Sequence, residues 1–107
     1  MIERIAKFNE LTPSTLPFVE GRLEGHRERK NYSIVGPGVA EDSEQSVKIS
    51  KAHGYNLGAV SANPKNGSGL HSHTTAEVFL IYSGKWRFYW GVDGKNEIIL
   101  GKGDIIS

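Results

Sequence analysis

Two histidines one residue apart, His71 and His73, are followed four residues later by a glutamate, Glu77. Two imidazoles and a carboxylate make three ligands of a divalent transition-metal site that keeps open positions. On an extended strand, side chains alternate between faces with period two. All three residues occupy odd positions, so a strand running on without a bulge points them to one side. A His-x-His pair alone is a weak signal, and a glutamate at a strand end is often only solvated. The surroundings add to it. Val78-Phe79-Leu80-Ile81-Tyr82 is a β-branched and aromatic run that reads as a buried strand. A glutamate facing such a core is costly unless paired or bound to a cation.

The elements that must position these residues are read in chain order. Ile2, Ile5, Phe8 and Leu11 recur at three-residue spacing, which suits a short helix or 3₁₀ turn ended by Thr12-Pro13. Residues 14–17 read as an arm. The stretch from Glu20 to Asn31 mixes basic residues with Glu24 and Glu28, so it reads as a solvated face, with His26 a surface histidine. The alternative is an arginine of this stretch holding a substrate carboxylate bidentately. Tyr32–Val35 and Val47–Ile49 are strand candidates, the second an edge strand. The acidic loop between them, with Glu41, Asp42 and Glu44, lacks calcium-loop spacing. His53 lies beside a turn and outside the ligand spacing. Leu57–Ala62 is strand-like, and the turn-rich residues 63–69 lead into the ligands.

Beyond the ligands, Trp86–Trp90 is the next strand, expected to form a hairpin with the ligand strand. Its faces divide into Trp86, Phe88 and Trp90 against Arg87 and Tyr89. The aromatic face suits barrel packing or a subunit interface. Arg87 reads as a solvated edge residue, with orientation of a substrate as the alternative. Asp93-Gly94 is a hairpin signal joining this strand to Asn96–Leu100. Gly101–Asp104 then turns into Ile105-Ile106.

The chain has 107 residues, the size of one domain, and a net charge of +1, which gives no bias toward nucleic acid or membrane. It has no cysteine, so thiolate ligands and disulfides are excluded. No apolar run spans a bilayer and the N-terminal residues lack a signal-peptide core. A cytoplasmic protein is expected. Thirteen glycines and few helical patterns suit an all-β fold.

At His71, His73, Glu77 and Gly84 the sequence resembles the first motif of the cupin superfamily: His-x-His, three residues, Glu, six residues, Gly. The family's opening glycine falls at position 65, which is Lys65, with Gly67 and Gly69 nearby. The resemblance covers roughly residues 55 to 107. It implies a jelly-roll β-barrel, here residues 32–107 behind an N-terminal arm of residues 1–31. In the family a turn like Gly103-Asp104 opens a second motif, whose proline would fall beyond Ser107. The barrel is therefore expected to be incomplete at its C-terminus, with any fourth ligand outside the chain, and a fragment of a longer protein is the favoured reading over closure by N-terminal strands.

The resemblance also implies a metal-dependent enzyme acting on a small organic molecule, dioxygenase-like. His71, His73 and Glu77 would hold Fe, Mn, Ni or Zn. No general base is identifiable. The alternatives are a non-catalytic metal- or ligand-binding module and a purely structural barrel. A homo-oligomer is expected, with a small-molecule substrate and no nucleic-acid or membrane partner.

Overall fold

The computed structural model describes residues 4–15, 24–25, 29–36, 47–50 and 54–107. His26, His53 and the acidic loop lie outside them. The described residues form strands and 3₁₀ turns without an α-helix, so the fold is all-β, in open sheets. No helix among them is long and apolar enough to cross a membrane. The chain divides into two compact units, Met1–Gly69 and Leu70–Ser107.

In the first unit, strands β1 (Arg29–Val35), β2 (Val47–Ile49) and β3 (Leu57–Ala62) form a sheet in the order β2-β1-β3. Strand β1 is central because one side of it is buried at Arg29, Ser33 and Val35. It runs antiparallel to β3 with a bulge between Ser33 and Val35, and parallel to the edge strand β2. The expected first strand thus starts at Arg29 rather than Tyr32. Arg29 is buried and its Nη1 donates to Ser68 Oγ at 2.8 Å, so it is not part of a solvated face. Ahead of the sheet, a 3₁₀ turn spans Phe8–Glu10, and the Phe8 ring lies 4.7 Å from that of Tyr32. Pro13 disfavours helix at Thr12, and Ser14 then pairs with Asn31 through reciprocal backbone bonds of 2.8 and 2.9 Å.

In the second unit, β4 (Phe79–Leu80) pairs antiparallel with β7 (Ile105–Ile106), and β5 (Trp86–Trp90) with β6 (Asn96–Leu100). The β5–β6 hairpin turns where Asp93-Gly94 predicts, both residues having positive φ (56° and 67°). The expected hairpin between the ligand strand and β5 does not form. Gly84, at φ 77°, redirects the chain, and the Trp86 indole N–H holds the turn by donating to the Ser83 carbonyl at 3.0 Å. The chain before it pairs with β7 instead. Ile81 N–H donates to the Asp104 carbonyl at 3.0 Å and Gly103 N–H to the Ile81 carbonyl at 2.7 Å. The Asp104 carboxylate fixes this corner by accepting from Gly101 N–H at 2.9 Å.

The buried-strand expectation also needs correction. Strand β4 has only two residues, and Val78, Leu80 and Tyr82 are exposed. Ile81 alone in this run is buried, at 4% exposure; with Val35 it makes up the buried apolar residues among those described. A two-stranded pair covers little of either face, so alternation in the sequence does not translate into burial here.

Candidate metal centre

Residues 71–78 lie outside any strand and bend at Thr74 and Thr75. The period-two argument therefore does not describe how the ligands converge. They converge through the bend. One donor atom each from His71, His73 and Glu77 lies within 4.8 Å of the others. His73 Nε2 is 3.5 Å from Glu77 Oε1. The two imidazoles meet edge to face, with ring centres 4.9 Å apart. His73 is half-buried, whereas His71 and Glu77 are exposed, so a cost of burying Glu77 is not what argues for a cation. The argument is the donor set itself. Metal bonds of about 2.0–2.2 Å put neighbouring donors roughly 3.0–3.4 Å apart. His73 and Glu77 already stand near that spacing, and His71 is exposed beside them. Two imidazoles, one carboxylate and no thiolate suit a borderline first-row ion with sites left for other ligands.

The segment is tied down at one end. Ser107 Oγ donates to the Glu77 backbone carbonyl at 3.1 Å. No spacing rule flagged Ser107; the pairing of β4 with β7 is what carries it there.

Beside the ligands is a half-open cavity of about 450 Å³. Its polar side is formed by the ligands with Ser72 and Thr75, and its apolar side by Phe79, Phe88, Trp90 and Ile106. Phe88 packs on Phe79 with ring centres 5.6 Å apart. Phe88 and Trp90 of the aromatic face of β5 line the cavity, a place not assigned to them from the sequence. Arg87 is exposed and pairs with Glu97 at 2.9 Å, its guanidinium 4.8 Å from the centre of the Tyr89 ring. It is a solvated edge residue.

The geometry is compatible with the cupin motif in two further respects. Gly84 takes the left-handed conformation for which a motif glycine is suited, and so does Lys65, at φ 68°, where the motif's opening glycine would fall. No protein-family model, curated protein or solved structure matches the chain.

Proposed function

We propose that the chain is part of a cupin-type jelly-roll barrel and works as a metal-dependent oxygenase of a small organic molecule. The observation that carries this is the convergence of His71, His73 and Glu77 on the lining of a cavity of ligand size. The two imidazoles and the carboxylate would hold the ion, and Glu77 would offset part of its charge. A bound iron would supply dioxygen activation toward a chelating substrate; a redox-inert ion would supply Lewis acidity. The chain's own contribution is to orient the substrate against Phe79, Phe88 and Trp90 and to keep water from the apolar side.

A non-catalytic metal-binding module is the second reading, favoured by the exposure of His71 and Glu77. Oxygen uptake by the iron-loaded protein, with catechols, diketones and hydroxy acids, separates the two. Substrate-dependent uptake is expected. Bound iron with no uptake across the panel leaves the binding module.

A further inference from the structure

Resting on the metal reading, we infer that the cavity selects a planar aromatic molecule carrying two adjacent hydroxyls, which chelates as a monoanion after releasing one proton to solvent, and selects against aliphatic dicarboxylates. Three observations lead there. First, the apolar wall is built from rings. Phe79 and Phe88 stand 5.6 Å apart, tilted by 54°, with Trp90 beside them. Aromatic faces attract another flat ring in offset or edge geometry at such distances, whereas a saturated chain gains only area burial. Second, apart from the histidines, none of the described side chains lining the cavity is basic. The nearest candidate in sequence, Arg87, is not among the lining residues, although its face-mate Tyr89 is, and it is engaged by Glu97 and Tyr89. A divalent ion beside Glu77 leaves a net charge of about plus one. A catechol monoanion balances it, whereas a dicarboxylate dianion would overcompensate it with no lysine or arginine among the described lining residues to assist, and an unpaired charge beside an apolar wall is costly. Third, Ser72 and Thr75 line the cavity beside the ligands, and their hydroxyls can donate to the oxygens of a chelating ligand.

The test uses cobalt(II)-loaded protein under nitrogen, with catechol and malonate as probes. Both chelate through two oxygens, catechol as a monoanion after losing one proton and malonate as a dianion, so they differ in ring and charge. Binding is read by calorimetry and by the cobalt absorption band. Catechol is expected to bind at least about tenfold more tightly than malonate. Phe88→Leu, which keeps apolar bulk but removes the ring, should weaken catechol about tenfold, the scale of one aromatic pair. It should leave cobalt and malonate affinity unchanged. Trp90→Leu gives a second variant at a ring that is half exposed, so folding does not hinge on it. Malonate binding as tightly as catechol, or catechol indifferent to both variants, overturns the inference while the metal centre stands. Failure of the wild type to bind cobalt overturns the metal centre and this inference with it.

Discussion

Each of the three donors should be necessary in its own way. His71→Ala or His73→Ala deletes a metal bond and should remove most of the metal, read by elemental analysis. Glu77→Gln keeps the size and removes the charge that offsets the cation. It should weaken binding by more than about tenfold, since even an outer partner of a ligand is worth that much. His26→Ala and His53→Ala serve as controls and should titrate like the wild type. A calorimetric titration in which Glu77→Gln matches the wild type while His53→Ala does not would mean the ligand set is misassigned. The trio itself was legible in the sequence because residue type and spacing survive a change of local conformation. The reason offered by spacing was not, because a bend at Thr74 and Thr75 does what a straight strand was expected to do.

At the scale of elements, β2, β3, β5 and β6 fall where alternation, β-branching and turn residues place them. What was not legible was which strands pair. Pairing of β4 with β7 sets Phe79 against Ile106 and Leu80 against Ile105, residues far apart in the chain whose contact no local pattern records. The turn Asn63-Pro64-Lys65-Asn66 offers a test of local strain. Asn66 N–H donates to the Asn63 carbonyl at 3.3 Å, Pro64 is the second residue, and Lys65 has φ 68°. Proline second and positive φ third is the pattern of a type II turn, which favours glycine third. Left-handed φ costs a side-chain-bearing residue about 1–2 kcal/mol, and glycine returns about 0.4–1 kcal/mol of that through the freer unfolded chain. Lys65→Gly should therefore raise stability by roughly 0.5–1 kcal/mol. Lys65→Val should lower it, because a β-branched residue tolerates positive φ worst. Thermal unfolding midpoints in the opposite order would show that this turn stores no strain.

Among the described residues, burial is concentrated in few places. Ile81 is buried while its neighbours Leu80 and Tyr82 are 63% and 86% exposed. Ile81→Ala should cost about 2–5 kcal/mol and Leu80→Ala within about 0.5 kcal/mol, compared by urea unfolding. Equal losses would mean that Leu80 is covered in solution. The bent segment that carries the ligands belongs to the sparsely buried part of the chain. A donor trio mounted there would hold an ion as a hinge rather than a cage. Fixing each of its backbone residues costs about 1–2 kcal/mol, so part of the attraction for an ion goes into holding the segment still. An ion would then leave by movement of the segment, without waiting for a rigid shell to break. Its residence should be short enough for isotopically labelled zinc to replace bound zinc during dialysis. The occupant of such a site follows the supply of metal around the protein more than the radius of any preformed hole.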